Sequence, residues 1–138
     1  MWLGVIQLTS HRGHASVAER TVAALYRYRY SHTVKPISFL GDSLARLRDF
    51  PDDARSEAGF QLREVQSGYE PADWKPMKAI GLGVREMRIR EPSGAFRVIY
   101  LATLADRILV LHVFQKKTQQ TAMKDIELAS RRFKAWKG

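Results

Sequence analysis

The sequence predicts an α+β domain, with helices packed against an antiparallel sheet. Three observations lead there. Two short amphipathic runs with helical period occupy residues 42–68, three strand-like runs separated by turn residues fill 77–115, and a further amphipathic helix follows. Helices and strands grouped in blocks, rather than alternating, mark that class. At 138 residues the chain is too short for two ordinary domains.

The elements follow in order. Residues 1–33 carry Arg12, Arg20, Arg27 and Arg29, a single acid, Glu19, and three of the four histidines. Val17, Thr21, Leu25 and Tyr28 recur near a 3.6 period and predict a helix there. The Arg-rich, acid-poor composition also matches an organellar transit peptide. A third reading, the one favoured, makes 1–33 an extension created by an upstream start, with the domain proper covering 34–138. Without that extension the remainder is still basic.

Lys35–Leu40 reads as a strand ending at Gly41. Asp42 is expected to cap a short helix bearing Leu44 and Leu47, closed by Pro51. Asp52 and Asp53 open a second helix, where negative charge meets the positive end of the dipole. Its apolar face is Ala54, Ala58, Leu62 and Val65, and Gly68 stands at the expected C-terminal cap. The two helices are expected to form a hairpin. Residues 69–76 read as a loop and 77–89 as a strand, with Gly81 and Gly83 marking a bulge or a close approach. Pro92 and Gly94 punctuate a turn. Residues 95–104 and 108–115 are two more strands. The second is apolar on both faces except for His112, as a covered central strand is. Residues 121–136 form the last helix, its stripe made by Met123, Ile126, Ala129, Phe133 and Trp136.

Composition narrows function. Apolar residues at 45% and charged residues at 27% describe a folded domain, and no apolar run approaches a membrane span. The absence of cysteine excludes a disulfide framework and thiolate metal sites, which fits a cytoplasmic protein. A net charge of +9 on so small a chain attracts polyanions, nucleic acid foremost.

Three basic clusters give that charge a place. In residues 83–90, Glu86, Arg88 and Arg90 share one face of an extended strand, while Met87 and Ile89 point to the other. In residues 96–100, Arg97 projects opposite Phe96, Val98 and Tyr100. In residues 114–121, Lys116, Lys117 and Thr118 leave the sheet. If the strands pair in sequence order, Arg88, Arg97 and Lys117 converge, an arrangement able to bind phosphate and stabilise charge developing on it. RNA carries its own nucleophile, the 2′-hydroxyl, so no metal and no cofactor is needed. Each residue also has a plainer reading: solvated sheet arginines, a Glu86 surface ion pair, a core histidine at 112, a charged strand exit at 116–117. Together they support a polyanion site without establishing catalysis.

Residues 35–43, 75–89, 96–100 and 111–121 resemble the RelE superfamily of toxins from toxin–antitoxin systems, in particular its phage-related HigB-type branch. The resemblance covers about three-quarters of the chain, from Val34 onwards. It implies a compact α+β fold with an antiparallel sheet, a helical hairpin and a C-terminal helix. It also implies cleavage of messenger RNA on the ribosome by 2′-hydroxyl attack without metal. Carried over by position, Arg88 binds or polarises phosphate, Arg97 stabilises the transition state and Lys117 neutralises nearby charge. Glu86 and His112 are the weaker candidates for proton transfer, and Arg90, Lys116 and Thr118 contact RNA. Met123 stands where some relatives carry a tyrosine, which leaves the general base unassigned. The implied partners are a helix-turn-helix antitoxin, the ribosome and messenger RNA, with operator DNA reached only through the antitoxin and no membrane. Two rivals stay open: a gyrase-inhibiting toxin of the ParE type, and a non-catalytic RNA- or ribosome-binding module.

Overall fold

The computed structural model describes residues 34–138 and, before them, Ala18 alone; the helix and extension expected within 1–33 lie outside the described residues. The order is β1 (Ile37–Phe39), α1 (Ser43–Arg48), α2 (Asp52–Gln66), β2 (Trp74–Pro76), β3 (Val84–Glu91), β4 (Gly94–Leu101), β5 (Ile108–Lys116) and α3 (Met123–Lys137). The class is α+β, as expected. Among the described residues the sheet has five strands, in the order β1-β5-β4-β3-β2. It is mixed rather than wholly antiparallel, because β1 runs parallel to β5, with Ile37 opposite Ile108 and Phe39 opposite Val110. Such a pairing needs a long crossover, here the entire stretch from α1 to β4.

Alternation along the strands feeds two cores. Met87, Ile89, Phe96, Val98, Tyr100, Ile108, Val110 and Val113 meet Leu47 and Phe50 and the expected α2 face of Ala54, Ala58, Leu62 and Val65. On the opposite side Val84, Ile99, Leu101, Leu109, Leu111 and Phe114 pack with Ala129 and Phe133 of α3. The α3 stripe is shorter than its pattern suggests, since Met123 is 66% exposed and Trp136 lies partly open against Phe133.

Local chemistry explains the boundaries. At the end of α2, Gly68 adopts φ +91°, and the Tyr69 and Gly68 N–H groups donate to the Glu64 and Val65 carbonyls, closing the helix in a left-handed cap. At its start Asp53 accepts from the Ala54 N–H at 2.6 Å and from the Ser93 hydroxyl at 2.5 Å, tying the helix to the β3–β4 turn. Asp42 makes no side-chain cap on α1. Its carboxylate goes instead to Arg46 at 2.7 Å and to Arg132 of α3 at 2.5 Å, because two guanidinium partners outcompete neutral N–H groups.

Two further expectations are revised. Part of the 69–76 loop is a strand, since Trp74–Pro76 pairs along the edge of β3. Residues 77–83 turn rather than extend, with the Ile80 and Gly81 N–H groups donating to the Met77 carbonyl. Gly81 marks a close approach, though to a ring: a Cβ there would lie 2.4 Å from the Phe133 side chain. The bulge lies in β5. Ile99 faces His112 and Tyr100 faces Val110, leaving Leu111 as the extra residue.

Candidate nucleic-acid interface

Register builds the site. Arg88 is the direct cross-strand partner of Arg97, and Arg97 of Phe114. The row before it is Glu86–Ile99–His112, and the row after it Arg90–Ala95–Lys116. Directly opposed residues share a face, so these three rows form one surface on the α3 side of the sheet. Glu86, Arg88, Arg90, Arg97, His112 and Lys116 thus come together. Lys117 does not join the rows. It lies beyond the end of β5, exposed, at the rim of a cleft beside them.

Glu86 is the hub. Its side chain is only 1% exposed, with Oε1 lying 3.6 Å from Arg97 Nε and 3.9 Å from both Arg88 Nε and Lys75 Nζ. Its other oxygen accepts a short hydrogen bond from the Thr121 hydroxyl. Arg97 is 3% exposed, and its NH1 donates to the Phe96 carbonyl at 2.9 Å. Burial pushes its guanidinium below the usual arginine range, with Arg88 and Arg90 adding to the effect and Glu86 opposing it. Arg88 is a third exposed and reaches Asp73 at 3.7 Å. The Nε atoms of Arg88 and Arg97 are both buried without a hydrogen-bond partner among the described residues. Buried donors left open in this way are uncommon and suit an anion.

The remaining residues frame this centre. Arg90 is exposed. Lys116 donates to the Gln119 carbonyl, and desolvation together with Arg97 and Arg90 lowers its ammonium below the normal lysine value. Thr118 bonds only locally, to the Gln120 carbonyl at 2.5 Å. His112 is 1% exposed, stacks on Phe114 and donates from Nε2 to Asp125 Oδ1 at 2.8 Å. Burial pushes its imidazole below 6.5, against the pull of Asp125, so it is a neutral pin between β5 and the first turn of α3.

Sequence reasoning missed Thr121, Asp125, Asp73 and Lys75. Only Asp125 left a trace, an acid in the first turn of a helix, and nothing local tied it to His112. Among the described residues no group of His, Cys, Asp and Glu is arranged to hold a metal ion. No helix among them is long and apolar enough to cross a membrane.

Comparison with known families places the chain beside a phage-derived group. The model of the phage-derived Gp49-like proteins (DUF891) covers residues 45–134, from α1 through most of α3, and so spans every row of the cationic face. No curated protein matches the chain. With about two-thirds of its length matched, the chain belongs to the phage-derived Gp49-like family, a family of RelE-type toxin relatives.

Proposed function

We propose that the protein is the toxin of a toxin–antitoxin pair, of the HigB-type branch, and that it cleaves messenger RNA on the ribosome. One observation carries the reading: Arg88 and Arg97 stand opposed on a rigid sheet, each with a buried Nε that has no hydrogen-bond partner among the described residues. Glu86 lies at 3.6–3.9 Å from both, too long to bond either, and a phosphodiester at the accessible end of Arg88 answers the positive charge left over. Family membership supports the toxin class.

In the reaction proposed, the ribose 2′-oxygen attacks the adjacent phosphorus and loses its proton, and the bond to the 5′-oxygen breaks. The leaving oxygen takes up a proton, giving a 2′,3′-cyclic phosphate and a 5′-hydroxyl end. No metal takes part. Arg88, the more accessible of the pair, contacts the phosphate. Arg97 holds positive charge beneath it where the pentacoordinate phosphorane gains negative charge, and fixed charge in a desolvated place is effective there. Arg90, Lys116, Lys117 and Thr118 hold the flanking backbone. Glu86 and His112 are both buried, which suits them to position the arginines and α3 rather than to carry protons. The partner that silences the protein is an antitoxin, which would cover this face or distort it.

The test is to induce the protein in a bacterial host and map the 5′ ends of cellular RNA. Cuts inside translated frames, absent from untranslated RNA and lost in Arg88→Ala/Arg97→Ala, are expected. Growth arrest with intact messages would overturn the nuclease reading and favour the gyrase target.

A further inference from the structure

Beside the cationic rows, the end of β5 meets α1 and the first turn of α3 around a cleft of about 300 Å3. That is the lower end of the roughly 300–1,000 Å3 range of small-ligand pockets, room for one nucleotide and not for a folded segment. Arg46, Lys116, Lys117 and Lys124 line it, together with Phe114 and Asp125. Two features set it apart from a general basic surface. Phe114 is the cross-strand partner of Arg97, so the cleft opens one strand away from the phosphate site. Asp125 is a lone acid among four cations. Its Oδ1 is occupied by His112, which fixes the carboxylate in place.

We propose that this cleft binds the guanine nucleotide next to the phosphate that is cut, and that Asp125 selects the base. The position next to the cut phosphate rests on the nuclease reading; the nucleotide site itself rests on the cleft alone. Beyond its hydrogen bond to His112, the Asp125 carboxylate gives the cleft a second oxygen, an acceptor of use to a ligand that brings a donor as well as negative charge. Guanine presents N1–H and N2–H2 donors on one edge and the O6 and N7 acceptors on another, the latter being the commonest partners of Lys and Arg. A cleft with one fixed acceptor and several cationic donors matches that pattern. Adenine and cytosine each present an amino donor without guanine's O6/N7 acceptor pair. Lys116 and Lys117 neutralise the nucleotide's phosphate, and Phe114 supplies an apolar wall.

The test is calorimetry and amide NMR on the full chain, using the four 2′-deoxynucleoside 5′-monophosphates, which lack the 2′-hydroxyl. Deoxyguanosine monophosphate is expected to bind at least fivefold tighter than the other three, with shifts at Phe114 and Asp125. Asp125→Asn keeps an oxygen for His112 but turns the free acceptor into a donor; it should abolish the preference while leaving weak binding of all four. Asp125→Glu, as a second variant, should retain part of it. Lys116→Ala/Lys117→Ala should weaken all four alike. Equal binding of the four nucleotides, no binding, or capture of an acidic peptide with no nucleotide bound would each overturn the proposal. A guanine preference in a protein that leaves messages intact would sink the nuclease reading and leave the cleft assignment standing.

Discussion

Arg88 and Arg97 lie directly opposite one another on β3 and β4, two like charges held together by the Glu86 carboxylate between them. Directly opposed like charges destabilise a sheet, and buried charge is costly unless paired. The arrangement persists because Glu86 and Asp73 supply counter-charge, with Thr121 holding Glu86 in place, and because Met87, Ile89, Phe96 and Val98 anchor the same strands from the other face. The pair is therefore tested by separating its effect on activity from its effect on stability.

Arg88→Ala removes a side chain a third exposed and held by long contacts. Chemical denaturation should show a loss of less than about 1 kcal/mol. Cleavage of translated messages should nevertheless fall by about 10²-fold or more, the typical cost of removing one charge-stabilising donor. Cleavage retained at wild-type rate would remove Arg88 from the mechanism.

Glu86→Ala should behave in the opposite way. It leaves Arg97 buried with its nearest counter-charge gone, and stability should drop by about 3–5 kcal/mol, the usual result of breaking a buried ion pair from one side. Glu86→Gln keeps an acceptor for Thr121 and should lose less. Urea midpoints of the two variants and the parent provide the comparison. Equal midpoints for all three would mean that Glu86 is not the hub.

Stability should fall as the solution is acidified, in two separate windows. His112 is held neutral by burial, below its unfolded value of 6.5. Below pH 6.5 the unfolded chain binds a proton that the folded one refuses, so unfolding becomes easier as pH drops. His112→Gln should flatten that part of the profile. Asp42 acts lower. Arg46 first, then Arg132, hold its carboxyl at about 2 against 3.8 unfolded, so its contribution is whole above pH 3.8 and is lost as pH falls towards 2. Half exposed, it should contribute less than about 1 kcal/mol. Thermal melts from about pH 2 to about pH 8 read both windows.

Gly81→Ala places a methyl group 2.4 Å from the Phe133 ring. The ring belongs to a packed core and has little room to yield, so the variant should lose about 1–3 kcal/mol, as overpacked sites do. Gly68→Ala meets no neighbouring atom but must hold φ +91°, and should cost roughly 1 kcal/mol through backbone strain alone. Melting curves of the two variants distinguish crowding from strain.

Much of this was legible in the residues. Pro92 to Gly94 fixes a tight turn, and strict alternation on either side of it sets Arg88 against Arg97 without any further information. The helices were legible because Asp52, Asp53 and Gly68 mark both ends of α2 and its apolar spacing is regular. The parallel strand was not, since Ile37 and Ile108 are joined only through tertiary contact. Nor was Trp74–Pro76, a three-residue strand ending in a proline. The choice between Lys116 and Lys117 turned on a single residue. An unbulged β5 would put Lys117 on the face of Leu109 and Leu111. The extra residue at Leu111 reverses the parity and puts Lys116 there instead. From Ile108 to Leu111 every residue is apolar, so no alternation of polarity there marks where that reversal occurs.

The neighbours of β5 have a consequence for synthesis. Among the described residues the last strand to be made lies between β1 and β4, and Thr121 and Asp125 come after it. On a translating ribosome β1 and β4 both wait for β5, their shared neighbour among the described residues, until residue 116 has emerged. The β3–β4 hairpin can set Arg88 against Arg97 early, but the Thr121 hydroxyl and the α3 helix that close over the pair are added only after β5. The strands that carry the three arginines are made first, and the residues that extend and steady their face, Lys116, Thr121 and Asp125, are made last.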